Sequence, residues 1–437
     1  MNFRAGTTDG IVLFFEKSRA RSFYKKLVYQ LDITSFHKRM KRRNLQQMQQ
    51  NQWKYKIIAF LLITCCLGSF VLMHMWHNRI KLQLLSREPK ISFLFIARNR
   101  LSLDLVWDEF FQHILVRKGM YLCARKGQSE VTLDMLIFLT EIVLTPGRFL
   151  IKGAKEPLFS IFVHSRPGFV FSKATTKSAY FLGRQVSDSI QVDWGEASMI
   201  QAERILLQHA LKDPLNQRFV FLSDSCIPLY NFSYIYDYIM SSSTSFVDSF
   251  ADTKHGRYNP KMHPIVPVTS WRKGSQWTVL IRKHAEVIVE DEVVFPVFQL
   301  HCKRRSLPEF WRDKPFPADP SKEHNCIPDE HYVQTLLAHK GLEKEITRRP
   351  LTHSAWDLSA SKDPERRGWH PLSYKFSDAT AKLIQDIKAI DNIHYETENR
   401  REWCSSKGRP SACFLFARKF TRPAALRLIN TALLNFQ

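Results

Sequence analysis

One uninterrupted apolar segment constrains this chain more than any other feature. Residues 57–76 read IIAFLLITCCLGSFVLMHMW, twenty residues without a formally charged side chain. A helix rises about 1.5 Å per residue, so this segment just crosses a hydrocarbon core of roughly 30 Å. A buried core helix rarely stays uncharged on every face over such a length, and a cleaved signal peptide has a shorter apolar core nearer its terminus. The segment therefore predicts a transmembrane signal-anchor helix.

The charges on either side of this segment predict its orientation. Residues 1–56 contain 13 Lys and Arg against three acidic residues, whereas the twelve residues after Asn78 contain only four Lys and Arg. Because positive charge stays on the cytosolic side, we expect a single-pass type II membrane protein. It would have a basic cytosolic tail at 1–56, the anchor at 57–76, a short stem at 77–90 and a luminal domain at 91–437.

The charge balance limits the ligands of that domain. The net charge is +23, and more than half of the surplus lies beyond residue 56. Solubility and attraction to a membrane surface account for some of it, and an anionic ligand is the sharper explanation. A luminal domain is a poor partner for nucleic acid. A nucleotide sugar, which carries a diphosphate, is a good one.

Six cysteines follow the anchor, and an oxidising compartment permits them to form disulfides. Connectivity cannot be read from spacing alone, but the local pairs Cys302–Cys326 and Cys404–Cys413 are the favoured ones. A zinc site has little support, since no Cys-x-x-Cys or closely paired His ligands occur. Asn231-Phe-Ser is an acceptor sequon for N-glycosylation that this topology would expose.

The luminal part has an α/β pattern. Nearly continuous apolar runs of strand length occupy residues 91–97, 158–165 and 218–224, and helical spacing occupies 102–115 and 196–211. This alternation predicts parallel βαβ units in one open sheet that is buried on both faces. Neither Gly-x-Gly-x-x-Gly nor a P-loop motif occurs, so dinucleotide and P-loop sites have no support.

The residues that follow the three predicted strands are polar. Arg98, His164 and Asp224 stand at or just beyond the strand ends. Ligands of open α/β sheets bind outside the carboxyl ends of the strands. We therefore expect these side chains to lie near a bound ligand.

The segment Cys326-Ile-Pro-Asp-Glu-His-Tyr predicts a helix start. Pro328 suits the first helical turn, and acidic side chains complement the helix dipole there. For Asp329 and Glu330 the residues alone leave two readings open. Both carboxylates stabilise the helix end, or one is a general base that is ionised at neutral pH and held in a fixed direction.

Five stretches in order carry a family resemblance: PLFSIFVHSRPGF, RFVFLSDSCIPLYNF, GSQWTVLIRKHA, NCIPDEHYVQTLL and CFLFARKF. With them the chain resembles the Core-2/I-branching β-1,6-N-acetylglucosaminyltransferases, glycosyltransferase family 14 and its plant relatives, from about Ile91 to about Phe420. The resemblance implies a GT-A-type, Rossmann-like open sheet, mostly parallel, with flanking helices. It also implies a Golgi enzyme that transfers a sugar, N-acetylglucosamine among the candidates, from a UDP-sugar to a glycan or glycoprotein with inversion. Neither a metal nor another cofactor is expected.

The resemblance also suggests roles for single residues. The family's catalytic base falls on Glu330, and its diphosphate ligands fall on Lys419 and on Arg401, with the neighbouring Arg400 as the alternative. Trp356 is similar to an aromatic residue of the substrate cleft. The chain contains no Asp-x-Asp, so fixed cations would stabilise the charge of the departing diphosphate.

Other positions are assigned to the donor or the acceptor with less support. Arg98 and His164 stand where the animal enzymes have other residues near the nucleotide, and Asp224 keeps an acidic group in a changed context. Asp329 is expected at the acceptor side of the cleft. These departures bear on the donor base and sugar rather than on the fold.

Two other function classes remain. The first is a catalytically inactive glycan-binding or scaffold protein on the same fold, which the retention of Glu330, Arg401 and Lys419 disfavours. The second is a glycoside hydrolase that uses Asp329 and Glu330. Hydrolysis needs two carboxylates that face one bond from about 5–10 Å apart, and adjacent residues on a helix point in different directions.

Overall fold

The computed structural model describes residues 56, 60–75, 88–112, 158–193, 195–253, 257–303, 326–357, 371–431 and 434. The chain divides into two units, Met1–Ser86 and Arg87–Gln437.

In the first unit, residues 60–75 are helical. Its apolar side chains are exposed, with Phe60 at 67% and Leu72 at 68%. Residues 57–59 and 76 of the predicted anchor lie outside the described residues. Within the described part of the chain, no helix is both long enough and apolar enough to cross a membrane.

The second unit is an α/β domain. Its strands are β1 (Lys90–Ile96), β2 (Phe159–His164), β3 (Asn216–Ser223), β4 (Ile227–Pro228), β5 (Ser245–Phe246), β6 (Phe250–Ala251), β7 (Arg272–Lys273), β8 (Val279–Ile281), β9 (Ile346–Thr347), β10 (Thr352–Ser354), β11 (Asn392–Tyr395), β12 (Arg400–Trp403), β13 (Ser405–Ser406), β14 (Arg409–Pro410) and β15 (Phe416–Arg418). Its helices are α1 (Ser198–Leu211), α2 (Phe232–Ser241), α3 (Arg282–Glu290), α4 (Val294–His301), α5 (Tyr332–His339), α6 (Ala381–Lys388) and α7 (Arg422–Asn430). Residues 104–112 are also helical.

The central sheet has six strands in the order β2-β1-β3-β8-β5-β9. Strands β2, β1 and β3 are parallel, β8 runs antiparallel to β3 and β5, and β9 is parallel to β5. Only β8 therefore opposes the others. This mostly parallel sheet is the arrangement that the alternation of strand and helix patterns predicts.

Both faces of this sheet are buried because its central strands are apolar at successive positions. In β1, Phe93 and Phe95 join one core while Leu94 joins the other. Helices α2, α6, α7 and residues 104–112 cover the first face, and α1, α3, α4 and α5 cover the second. The strands thus read as continuous apolar runs rather than as alternating ones.

The observed elements agree with the predicted ones to within a few residues at their ends. The predicted strand at 218–224 is Asn216–Ser223, and the predicted helix at 196–211 is Ser198–Leu211. Of the predicted helix at 102–115, residues 104–112 are helical, and 113–115 lie outside the described residues.

A second sheet has three strands in the order β10-β15-β4, and β15 ends at Arg418, next to Lys419. The hairpins β11–β12 and β13–β14 precede its strand β15. Disulfides join Cys302 to Cys326 and Cys404 to Cys413, the two local pairs named above. Each removes freedom from the unfolded chain, an effect typically worth about 2–4 kcal/mol.

Candidate active site

The segment Pro328–Glu330 forms a 3-10 turn that leads into α5, with Pro328 at its first position. The turn is held against β7, because the Gly274 N–H donates to the Glu330 carbonyl at 2.9 Å. The Glu330 carboxylate pairs with Lys273, and its side chain keeps 29% of its surface exposed. Glu330 is thus both held in one direction and open to a ligand.

Close packing at Gly274 makes this arrangement possible. A Cβ atom added there would lie 1.7 Å from the Asp248 carbonyl oxygen. Only glycine lets β7 approach the neighbouring backbone so closely. The position of Lys273 therefore depends on the residue that follows it.

A buried network lies behind Lys273. The Asp248 carboxylate accepts hydrogen bonds from the Ser275 N–H at 2.9 Å and the Tyr395 hydroxyl at 2.6 Å. Burial raises the pKa of Asp248, while these two bonds and the charges of Lys273 and Arg400 oppose the rise. Asp248 thus connects the lysine that holds Glu330 to the hairpin β11–β12.

Asp329, next to Glu330, has the opposite surroundings. It is 6% exposed, and desolvation together with the charge of Glu330 raises its pKa to about 7. Glu203 on α1 is also buried. Desolvation raises the pKa of Glu203, and the charge of Asp329 raises it further. The Glu203 carboxylate accepts a hydrogen bond from Gln276 Nε2 at 3.3 Å. Asp329, which the sequence places at the acceptor side of the cleft, is thus buried, and burial opposes its ionisation more strongly than the helix end favours it.

Several predicted donor residues come together at the carboxyl ends of the strands. Burial raises the pKa of Asp224, and Arg418, Lys419 and Arg98 lower it, in that order. The backbone explains this convergence, since Phe420 N–H donates to the carbonyl of the residue after Asp224 at 3.0 Å. We call Arg98, Arg418 and Lys419, grouped around Asp224, the cationic cluster.

Arg418 is the member of the cluster that sequence reasoning missed. Its guanidinium lies over the Trp277 ring at 4.5 Å. Desolvation lowers the pKa of Arg418, and the charges of Asp224 and Glu330 are among those that oppose this. Arg418 therefore interacts electrostatically both with Asp224, at the centre of the cationic cluster, and with Glu330. The signal was present, because Arg418 and Lys419 are adjacent basic residues that end an apolar strand.

His164 lies at the end of β2 but is turned inward. It is 1% exposed, and its Nε2 accepts from the Ile190 N–H at 3.1 Å. Desolvation lowers the pKa of His164. In this state the side chain supports the loop that holds Ile190 rather than offering a charge to a ligand.

The two candidate arginines of β12 differ in their surroundings. Arg400 donates to Glu398 at 2.9 Å and to Glu402 at 2.7 Å, and it lies 4.0 Å from the centre of the Tyr395 ring. Arg401 points to the other face of the strand, is exposed, and lies 5.9 Å from the Trp403 ring. Arg400, not Arg401, is the one connected to the network of Asp248.

Trp356 is 49% exposed and forms an isolated bridge with Pro371. An exposed ring of this kind is available for contact with a ligand. Asn231 has a structural role, because its Oδ1 caps α2 by accepting the Tyr234 N–H at 2.9 Å.

Buried polar atoms without a hydrogen-bond partner among the described residues occur close to the cationic cluster. They include Asn99 Oδ1, Ser354 Oγ and Arg418 Nε. Ser354 is the register partner of Arg418 in the pairing of β10 with β15, and Asn99 follows Arg98. Native proteins satisfy nearly all buried polar atoms, so these three point to a polar ligand at this edge.

Comparison with known proteins shows the family of this chain. The family profile described as Core-2/I-branching enzyme matches residues 148–388, which include the Glu330 turn. The chain is 65% identical over 347 residues to glycosyltransferase BC10 of Oryza sativa subsp. japonica. The aligned region covers 79% of this chain and 77% of that relative.

Proposed function

This chain belongs to the Core-2/I-branching enzyme family of glycosyltransferases, and we propose that it transfers a sugar from a UDP-sugar to a glycan or glycoprotein hydroxyl with inversion. The observation that carries the proposal is the position of Glu330, held by Lys273 and within the field of Arg418. N-acetylglucosamine, which the family resemblance suggests, is the first donor sugar to test.

In the proposed reaction Glu330 acts as the general base. Its carboxylate takes the proton of the acceptor hydroxyl while that oxygen attacks the anomeric carbon. The bond from this carbon to the diphosphate breaks, and UDP leaves on the opposite side, which inverts the configuration. Lys273 contributes by fixing the direction of the carboxylate, because a base must lie within hydrogen-bond reach of the proton.

The cationic cluster is proposed to bind the diphosphate. Negative charge grows on this group as it departs, and prearranged cations stabilise it. Arg418 offers a fork of donors and Lys419 a point charge. The negative charge of Asp224 acts on both cations, as the effect of Arg418 and Lys419 on its pKa shows. On this proposal turnover needs no divalent metal.

The proposed location is the Golgi membrane with the catalytic domain in the lumen. The uncharged segment 57–76 and the basic residues before it support this topology. The disulfides Cys302–Cys326 and Cys404–Cys413 suit an oxidising compartment. Glycosylation of Asn231 is proposed as well.

A donor screen on the detergent-solubilised full chain tests this function. We expect UDP release from one UDP-sugar, stimulated by a glycan acceptor and retained in excess EDTA. Loss of turnover on chelation, restored by Mn²⁺, would contradict the metal-independent reaction. A chain that binds UDP but releases none from any donor with any acceptor would instead support the inactive glycan-binding protein.

A further inference from the structure

A separate cavity lies between the C-terminal end of α2 and the strands β12 and β13. Its volume is about 210 Å³, below the roughly 300–1,000 Å³ of pockets that hold drug-sized ligands. None of its lining residues belongs to the cationic cluster or to the Glu330–Lys273 pair. The cavity has room for one small unit of a ligand.

A buried cation forms one wall of this cavity. Arg349 is 1% exposed. It donates from one terminal nitrogen to the Cys413 carbonyl at 2.9 Å and from the other to the Tyr238 hydroxyl at 2.7 Å. Its guanidinium lies 5.1 Å from the centre of the Phe246 ring. All these partners are neutral.

Arg349 forms no ion pair with a carboxylate among the described residues. The acidic side chain that lines the cavity, Glu402, is already paired with Arg400 at 2.7 Å. A buried charge is costly unless an opposite charge compensates it. A guanidinium has five N–H donors, so Arg349 keeps donors for an anionic ligand. A planar carboxylate matches its geometry.

The remaining walls suit a carbohydrate. Six residues with hydroxyl groups line the cavity, namely Tyr238, Ser241, Ser242, Thr347, Ser405 and Ser406. The hydroxyls of Ser241 and Ser406 lie 3.2 Å apart. The indole of Trp403 also lines it and is 62% exposed. Hydroxyl groups match sugar hydroxyls, and an exposed indole offers an apolar platform for the face of a sugar ring.

We propose that this cavity is a subsite for one acidic sugar of a glycan, with the sugar carboxylate on Arg349 and its ring against Trp403. The subsite rests on the proposed function only for the class of ligand, a glycan. It would select acceptors that carry a uronic acid or a similar carboxylate-bearing sugar away from the reacting hydroxyl.

Direct binding to the full chain tests the subsite without reference to turnover. Glucuronic and galacturonic acid would be titrated by saturation-transfer NMR, with glucose as the neutral control and acetate as the control for a bare anion. We expect saturable binding of a uronic acid and none of glucose. Trp403→Ala, a change at an exposed side chain, should weaken binding by about tenfold or more, and so should Arg349→Lys.

Binding of UDP serves as the folding control, because neither substitution touches the cationic cluster. If Arg349→Lys fails to bind UDP, Trp403→Ala alone decides the test. Equal uronic acid binding by Trp403→Ala and the parent chain would overturn the proposal. So would glucose binding as tightly as the acid, or acetate competing as well as the whole sugar. Failure of the donor screen with uronic acid binding intact would remove the proposed reaction but keep the subsite.

Discussion

The turn Pro328–Glu330 gives two adjacent carboxylates different surroundings. Asp329 faces the protein interior near Glu203, whereas Glu330 pairs with Lys273 and stays partly exposed. Desolvation acts mainly on the buried carboxylate. On the proposed function, one short turn thus supplies both a buried structural acid and the general base.

Asp329 makes stability depend on pH. Its pKa in the folded protein is about 7, against about 3.9 for an unperturbed Asp. Because the folded pKa is raised, its stabilising contribution is complete below about pH 4 and is lost as the pH rises through about 7. Asp329→Asn imitates the protonated form, so the variant should gain in melting temperature relative to the parent over that range. Because Asp329 also raises the pKa of Glu203, the difference reports the Asp329 charge together with its effect on Glu203. A difference that does not change with pH would mean that Asp329 is ionised throughout.

Lys419 tests the proposed diphosphate site. Lys419→Ala should weaken UDP binding by about tenfold or more, since a charge-assisted contact to phosphate is lost. Isothermal titration with UDP measures the change. Lys382→Ala is the matched control, because this exposed lysine pairs only with Asp386 on α6 in the described structure. Equal affinity of the parent and Lys419→Ala would place the diphosphate elsewhere.

At the scale of elements, the strands that form the site could be predicted and the contacts between them could not. Continuous apolar runs located β1, β2 and β3, because strands buried on both faces need them. Strand-end residues such as Arg98 and Asp224 could be placed together because parallel strands end at one edge.

The rest depends on packing that no periodic pattern records. Strand β7 has two residues, which is too short for a periodic pattern, so no sequence pattern indicates the role of Lys273. The choice between Arg400 and Arg401 depends on which face of a two-stranded hairpin packs inward. That face is set by the contact of Tyr395 with Asp248, two residues that are distant from each other in the sequence.

Gly274 tests whether β7 positions the base. Gly274→Ala places a Cβ against the Asp248 carbonyl, so β7 must shift, with an expected loss of about 1–3 kcal/mol of stability. Turnover should fall further than UDP binding, because Lys273 moves while the cationic cluster does not. Gly341→Ala is the control, since Gly341 has a φ of +70° and no atom within 4 Å of an added Cβ. It should lose stability and keep its turnover. If Gly274→Ala retains the turnover of the parent, β7 does not position Glu330.

At the scale of the whole molecule, segment 57–76 and the charges around it predict where the domain works. In sealed microsomes, added protease should remove the N-terminal tail and spare the part after residue 90. Glycosidase treatment should lower the mass if Asn231 carries a glycan. Digestion of the C-terminal part in intact vesicles would reverse the topology.

On the proposed function, Glu330 is the general base beside the cationic cluster, and the kinetics of Glu330→Gln test this most directly. The substitution keeps shape and volume but removes the proton acceptor, which typically costs about 10²–10⁴-fold in rate. We predict that kcat falls by that factor in a UDP-release assay while the affinity for UDP stays near that of the parent. Near-normal turnover of Glu330→Gln, with Asp329→Asn inactive under the same conditions, would contradict the assignment.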